Sequence, residues 1–401
     1  MKRHILVTGA SVAGNSLAWW LGRNGFDVTV LERAPAFRDG GQNVDVRGAA
    51  RFVLRRMGME DAVAANGTGE RGVRFVDASG ARVADFILDE LDGKGFTAEL
   101  EVLRGDLARL LYDGARAHAD YRFGDAIAAV ADDGDGARVR FDSGREERFD
   151  LVVVAEGVGS ATRDRVFAGE NRPRWLDVTM GYFTIPKGPG DGELARWYTA
   201  PGGRSVFLRP DPKGTTRAVL TSQAPSRGEE RLEIEAQKAF LRRRFADAGW
   251  ETARVLDGMD RADDFYFDVL RQVRIPRWSK GHVALTGDAA WCTTPLGGIG
   301  ASLAIVGGYV LAGELARQPD RRAALAAYER VMRPAAARGQ DFPKWTARLA
   351  QPHSRFGVGL QSALLRVAAT PLLRKGVARA LTTRADEIEL PDYPGLRDAR
   401  A

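Results

Sequence analysis

The chain alternates between short, nearly all-apolar runs and polar turns rich in Gly, Asp and Ser, and this pattern predicts most of its elements. His4 to Thr8 reads as a buried strand, with "GASVAG" as the turn leaving it. Asn15 to Asn24 places Leu17, Trp20 and Leu21 at helical spacing, Gly25 supplies a stop, and Asp27 to Glu32 reads as the next strand. Such a strand–helix–strand unit of about thirty residues has the size of a parallel crossover. A helix is expected from near Gly48, then a hairpin in "GVRFVDASGARVADFIL" around the turn "DASG". "LRGDLARLLYDGARAH" returns to helix, with Asp106 as the expected N-cap.

Ala126 to Gly157 reads as three strands joined by Asp-Gly and Ser-Gly turns, and the last, "LVVVA", has the continuous apolar character of a covered central strand. After Phe167 the texture changes. "MGYFTIP", "LARWYTA", "RSVFLRP" and "TRAVLTSQ" are short strand-like runs, "ERLEIEAQKAFLRRRFADAG" is a charged helix, and "DFYFDVLRQVRI" is a long strand. "VALTG" is again a buried strand, and from Ala301 onward the pattern predicts helix almost throughout. Because the apolar strands of the first type fall in three separated blocks, a second domain is expected as an insertion into the first.

Composition narrows the classes. The hydrophobic fraction of 44% and charged fraction of 28% are ordinary for a soluble globular protein. The net charge of +6 comes from scattered arginines, with no concentrated basic face interleaved with aromatics, so nucleic acid is not an expected partner. Cys292 is the single cysteine, which excludes an intrachain disulfide and suits a reducing cytoplasm. The four histidines stand far apart and no Cys/His cluster has metal-ligand spacing, so no metal is expected. Gly9, Ser11, Gly14 and Asn15 interrupt the apolar N-terminus where a signal-peptide core would be continuous. No apolar run is long enough for stable membrane insertion. The basic, amphipathic "LLRVAATPLLRKGVARAL" is broken by Pro371 and is expected to cover a domain seam rather than a membrane.

The candidate chemistry lies in two glycine-rich turns nearly three hundred residues apart. In "GASVAG", Gly9 suits the tight turn and Gly14 close helix–strand packing, while Ser11 stands where a dinucleotide fingerprint usually has its second glycine. A small residue there lets backbone N–H groups and the helix N-terminus approach a pyrophosphate. Glu32 ends the second strand 18 residues after Gly14, near the spacing at which a carboxylate accepts hydrogen bonds from a ribose diol. A short-chain dehydrogenase is excluded, because no tyrosine is followed by a lysine four positions later. The Trp-x-Trp-x-Ile-Pro element of a flavin halogenase is also absent. The late turn, "LTGDAAWCTTPLGGIGASLA", puts Asp288 at the head of a run of glycines.

Together, "VTGASVAG…VTVLERA", "VLRGDLARLLYDGA", "DLVVVAEGVGSATRDRVF" and "GHVALTGDAAWCTTPLGGIGASLA" resemble the group A flavin-dependent monooxygenases, the para-hydroxybenzoate-hydroxylase-like family. The compact members that modify antibiotics and polyketides are the most similar. The resemblance covers roughly residues 1–60, 100–168 and 280–316, and is only topological over 170–275. It implies an α/β fold: a Rossmann-like FAD-binding domain of glutathione-reductase type, an inserted mixed β-sheet substrate domain and C-terminal helices. The implied division is 1–72, 99–170 and 276–330 for FAD, 73–98 and 171–275 for substrate, and 331–401 for the C-terminal segment.

The resemblance also assigns roles. Gly9, Ser11, Val12, Ala13 and Gly14 would lie against the FAD pyrophosphate, Glu32 would hold the adenosine ribose, and Arg33 would lie beside the adenosine. Arg104 would reach the flavin side and Asp288 the ribityl hydroxyls, with Pro295, Gly298, Gly300 and Ala301 in the loop around the isoalloxazine ring. Arg47 would lie near the flavin and the approach of the reductant, NADPH or NADH. The implied reaction is hydroxylation, with O2 and through a flavin C4a-hydroperoxide, of an aromatic or polyketide-like small molecule by a cytoplasmic monomer or homodimer. An oxidase or reductase without oxygen insertion, and a non-catalytic FAD-binding module, are the alternatives.

Three residues depart from the family pattern: Ser11 for glycine, Glu156 for the aspartate of the "DG" element, and Trp291 for the histidine of "GDAAH". The aromatics Tyr182, Phe183, Trp197, Tyr198, Phe207, Phe265 and Phe267 suit a pocket for such a substrate, with sheet core as the competing role for each. No acid–base residue is identified, since hydroxylation of this type needs positioning and exclusion of water more than proton transfer.

Overall fold

The computed structural model describes residues 2–91, 100–341, 345–374, 376 and 388–399. Six strands form the first sheet, in the order Ser279–Lys280, Val283–Leu285, Leu151–Val154, His4–Thr8, Asp27–Glu32 and Asp120–Phe123. All run parallel except the Ser279–Lys280 edge. Ile5, Leu6 and Val7 and all four residues of Leu151–Val154 are buried, as strands covered on both faces must be. The chain leaves His4–Thr8 toward Asp27–Glu32 on one side, and Leu151–Val154 joins on the other. Thr8, Leu31 and Val154 therefore share one edge at a topological switch point, where α/β sheets open a ligand crevice.

Two helices cover this sheet and cross closely. Val12–Arg23 meets Gly300–Arg317, with the Ser16 hydroxyl donating to the Ile305 carbonyl at 3.0 Å. A Cβ at Gly308 would stand 2.7 Å from the Leu17 nitrogen, so glycine sets the approach. From Ser302 to Leu315 the second helix is buried all round, which its lack of a polar face requires.

The second sheet has seven strands: Tyr266–Gln272, Arg174–Pro186, Thr215–Gln223, Arg204–Pro210, Ala195–Ala200, Gly72–Val76 and Arg82–Ile87. One face packs Phe183, Ile185, Val206, Ala218, Leu220 and Val269 against Leu241 and Phe245 of the helix Ile234–Phe245 and Val255, Leu256 and Met259 of Thr252–Arg261. On the other face the register aligns Tyr266, Tyr182, Val219, Phe207, Trp197 and Phe75 in one row. A ribbon of Asn43–Asp45 against Glu101–Leu103 lies between the two sheets, and Ile127–Asp132, Ala137–Phe141 and Glu146–Phe149 form a third, antiparallel sheet.

The elements differ from the sequence pattern in several places. The first helix begins three residues early, at Val12, because "VAG" is itself its first turn. Arg104–Ala115 is capped at Leu103, so Asp106 is not its N-cap; it faces Lys213 Nζ at 2.9 Å. Ala126 to Gly157 holds four strands rather than three, because the chain turns out of the antiparallel sheet at Asp150, whose carboxylate accepts the His4 N–H at 2.6 Å. Asp120–Phe123 and Thr252–Arg261 stand outside the sequence reading, although Thr252, Val255, Leu256 and Met259 of the latter fall at helical spacing. Beyond Gly300–Arg317, helix continues in Arg321–Gln340, Trp345–Ala350 and Arg355–Ala368, but residues 388–399 are not helical. Leu365, Ala368 and Ala369 pack against Phe75, Trp197 and Phe207, covering one end of the aromatic row. Residues 375 and 377–381 of the amphipathic stretch lie outside the described residues.

Candidate active site

The first glycine turn sits at the open strand edge. Gly9 donates to the Leu31 carbonyl at 2.7 Å and holds φ +98°, and a Cβ there would lie 2.5 Å from the Ala155 carbonyl oxygen. At Gly14 a Cβ would lie 1.9 Å from the Gly9 oxygen. Val12 and Ala13 are buried, and the helix they open has no side-chain cap, so its leading N–H groups are left for a ligand. The Ser11 hydroxyl accepts a hydrogen bond from Arg104 at 3.2 Å, and Arg104 also donates to the Gly40 carbonyl at 3.0 Å. Glu32 accepts the Ala10 and Ala34 N–H groups, each at 2.9 Å, which fixes its carboxylate at the strand end, with exposed Arg33 beside it.

The late turn closes the same crevice. Gly287, at φ +61°, lies so near Ala13 that a Cβ would come within 2.7 Å of the alanine methyl. Asp288 follows, leading the short helix Asp288–Trp291. Thr294 adopts φ +71°, a conformation a branched residue holds only under constraint, and the Thr293 and Thr294 hydroxyls are buried without partners. Pro295 is exposed, Gly298 (φ +66°) faces open space, and the nearest neighbours of a Cβ at Gly300 would be Asp288 Oδ1 and Thr293 Oγ1, each at 3.9 Å. The helix Gly300–Arg317 begins here without a side-chain cap, with Ala301 half-buried in its first turn. Arg47 joins this end, donating its N–H to the Ser302 hydroxyl at 3.0 Å and pairing with Asp45 at 2.7 Å. Two turns distant in sequence are thus the two walls of one crevice.

Asp268 and Tyr266, which sequence reasoning missed, complete the site beside Asp288 and Tyr182. Asp268 stands on the seven-stranded sheet among the neighbours of Asp288, and burial raises its carboxyl despite Arg271 3.7 Å away. Burial pushes Asp288 up to about 6; the Asp268 carboxylate adds to the rise, while Arg104 and a hydrogen bond with Cys292 oppose it. Tyr182 and Tyr266, 6.1 Å apart, face this group, and burial pushes the Tyr266 hydroxyl up to about 12. Tyr266 and Asp268 at alternate positions of "YFDVL" were the available signal, since they share one strand face while Phe267 and Val269 face the core.

Other candidates are structural. Phe183, Tyr198 and Phe267 belong to the core beneath the helices, with Phe265 packed against it. Trp291 is buried against Trp278, with ring centroids 4.7 Å apart, and the Cys292 thiol is pushed up by burial, so it stays neutral. Glu156 turns from the crevice and accepts from Ser160 Oγ at 2.7 Å, Thr162 Oγ1 at 2.6 Å and Thr162 N at 3.1 Å. Glu156→Ala is therefore expected to cost about 1–3 kcal/mol of stability while leaving FAD affinity within about twofold, as read by denaturant unfolding and flavin titration.

The geometry has a precedent in known proteins. Residues 2–342 match the family described as FAD binding domain. The chain is 34% identical to the FAD-dependent monooxygenase asL4 of Sarocladium schorii over 98% of each chain. It is 35% identical to the flavin-dependent monooxygenase eupH of a Phoma species, again over 98% of each. Among solved structures, tetracycline destructase Tet(55) superposes with a TM-score of 0.82 at 32% identity, covering 98% of this chain and 99% of that one. The chain belongs to the FAD binding domain family, and within it to the group A flavin-dependent monooxygenases. FAD is its cofactor, and the unpartnered threonine hydroxyls, the open glycines and the unneutralised Asp288 carboxylate suit such a ligand.

Proposed function

We propose that the crevice holds FAD along its full length and that the chain uses NADPH or NADH and O2 to hydroxylate an aromatic or polyketide-like small molecule. Gly9 to Gly14 would hold the pyrophosphate, Glu32 the adenosine ribose with Arg33 beside the adenosine, Arg104 would reach the flavin side, and Asp288 would hold the ribityl hydroxyls. Pro295, Gly298, Gly300 and Ala301 would border the ring, and Arg47 would stand where a reduced pyridine nucleotide approaches. The chemistry FAD supplies when bound is electron transfer from that reductant to O2 and delivery of one oxygen atom to the substrate. The protein's own part is to orient, to exclude water and to stabilise charge. The N-terminus of Gly300–Arg317 has no side-chain cap and would present a positive helix end to the ring, where reduction would add negative charge.

One observation carries this reading: Asp288 and Cys292 of the late turn lie within electrostatic reach of Asp268, which stands on the seven-stranded sheet beside Tyr182 and Tyr266 at the end of the aromatic row. An aromatic substrate would lie between them, which accords with the names of the destructase and monooxygenase relatives. The same placement supports the division into FAD-binding segments 1–72, 99–170 and 276–330 and substrate segments 73–98 and 171–275, with 331–401 as the C-terminal segment. A cytoplasmic monomer or homodimer accords with the single cysteine, and no helix among the described residues is long and apolar enough to cross a membrane.

Gly300 supplies the test. A Cβ there makes only ordinary contacts, so Gly300→Ala should fold and bind flavin, whereas Gly300→Leu should fold but purify colourless. Normal flavin absorbance in the leucine variant would refute the assignment of this turn to the ring.

A further inference from the structure

Between the ribbon and the seven-stranded sheet lies a buried ionic cluster outside the two glycine turns. Arg209 projects from the aromatic face of the seven-stranded sheet, with its guanidinium 5.2 Å from the Phe207 ring. Its Nε donates to Glu70 at 2.8 Å and its Nη2 to Glu101, which stands on the ribbon. Both carboxylates are almost wholly buried, with side-chain exposures of 0% and 4%. Asp45, on the neighbouring ribbon strand, adds a third carboxylate to the same field and is paired with Arg47. Asn43 and Thr68 face the cluster as neutral groups, the Thr68 hydroxyl lying 3.3 Å from Glu101.

The count is uneven. Three carboxylates share two guanidinium groups in a place closed to water, and a buried unpaired charge is far more costly than a proton taken up. The Glu70 Oε1 and Asn43 Oδ1 atoms are buried without partners, which leaves acceptors for an added hydrogen. We propose that Glu70 and Glu101 share one proton at neutral pH and that this protonated pair, clamped by Arg209, is the joint that fixes the ribbon to the seven-stranded sheet. Burial, together with the Glu70 and Asp45 carboxylates, pushes Glu101 up to about 8 against the pull of Arg209, and burial raises Glu70 as well.

The joint has a consequence for the crevice. The ribbon carries Asp45 and leads into Arg47, whose backbone is tied to Ser302 at the start of the long helix. Loss of the shared proton leaves excess negative charge between the sheets and loosens the ribbon at its crevice side. Glu70, Glu101 and Arg209 are thus positioning residues, and the inference is independent of substrate and reductant.

The sign of the pH effect follows from the raised carboxyl. The folded protein keeps a proton that the unfolded chain has released, so stability falls as pH rises from the ordinary glutamate range through about 8. Two measurements on the flavin-loaded protein test this. In infrared titration with isotope-labelled glutamate, wild type should show a protonated carboxyl band at neutral pH that disappears well above the ordinary range. Glu101→Gln, which mimics the neutral form, should lack that band. In hydrogen exchange, corrected for intrinsic rates, the Asn43–Asp45 and Glu101–Leu103 amides of wild type should open up to roughly tenfold more per pH unit between the ordinary glutamate range and about 8, the effect of one differentially bound proton, and level off above it. Glu101→Gln should abolish that rise. A wild-type protein with no protonated glutamate band at neutral pH, or a Glu101→Gln ribbon with the same pH-dependent opening, would overturn the proposal; the first holds even if the variant folds poorly.

Discussion

Asp288→Asn is expected to weaken FAD binding roughly 10- to 150-fold, the equivalent of about 1.5–3 kcal/mol for hydrogen bonds to a charged group, while leaving the apoprotein equally or more stable. The two effects have one cause. In the absence of ligand the carboxylate is buried beside Asp268, with Arg104 and Cys292 as weaker compensation, and its carboxyl is held up at about 6 against 3.8. The folded apoprotein therefore binds a proton that the unfolded chain has released between those values. Its stability falls as pH rises through that window, and the asparagine variant lacks this fall. Hydroxyl donors from a ribityl chain favour the ionised form, so FAD uptake releases that proton and affinity rises with pH until it levels above about 6. Flavin fluorescence titrations and thermal melts of both proteins from pH 4.5 to 7.5 check this. A variant that binds FAD as tightly as wild type would remove Asp288 from the site.

Gly14→Val should have the larger effect on the fold. Its Cβ would stand 1.9 Å from the Gly9 carbonyl oxygen, a backbone atom that cannot swing aside, so the first helix must lift from the strand edge. The expected loss is at least about 3 kcal/mol of stability, the upper end of overpacking costs, together with loss of bound flavin. Gly25→Ala is the control. Gly25 holds φ +87° with nothing near its missing side chain, so alanine there should cost about 1–2 kcal/mol from backbone strain and keep the flavin. Denaturant unfolding and visible absorbance of the two purified variants separate steric contact from conformational strain.

The sequence revealed the cofactor side of the crevice more fully than the substrate side, for a physical reason. A strand covered on both faces must be continuously apolar, and a helix that meets a backbone closely must carry glycine, so "HILVT", "LVVVA", Gly9 and Gly14 identify themselves locally. Asp288 was legible for a similar reason, as an acid at the head of a glycine run. Arg209, Glu70 and Glu101 have no such signature. Their burial depends on which strand lies opposite, and three-residue ribbon strands such as Asn43–Asp45 are too short to show a period. The helix Thr252–Arg261 shows its buried face in the spacing of Thr252, Val255, Leu256 and Met259, and its Gly258 is there because Ile185 passes so near that a Cβ would stand 2.3 Å from its methyl. The aromatic residues could be found but not sorted, since alternate positions of one strand reach opposite faces and only the pairing register shows which face meets the crevice.

The most direct test of the central claim is the fate of isotopically labelled O2. The flavin-loaded protein, supplied with NADPH and a panel of phenolic and polycyclic aromatic compounds, should yield a product carrying a single labelled oxygen atom, with one reductant consumed per product. Reductant consumption that ends only in hydrogen peroxide across the panel, or product oxygen drawn from water, would contradict it.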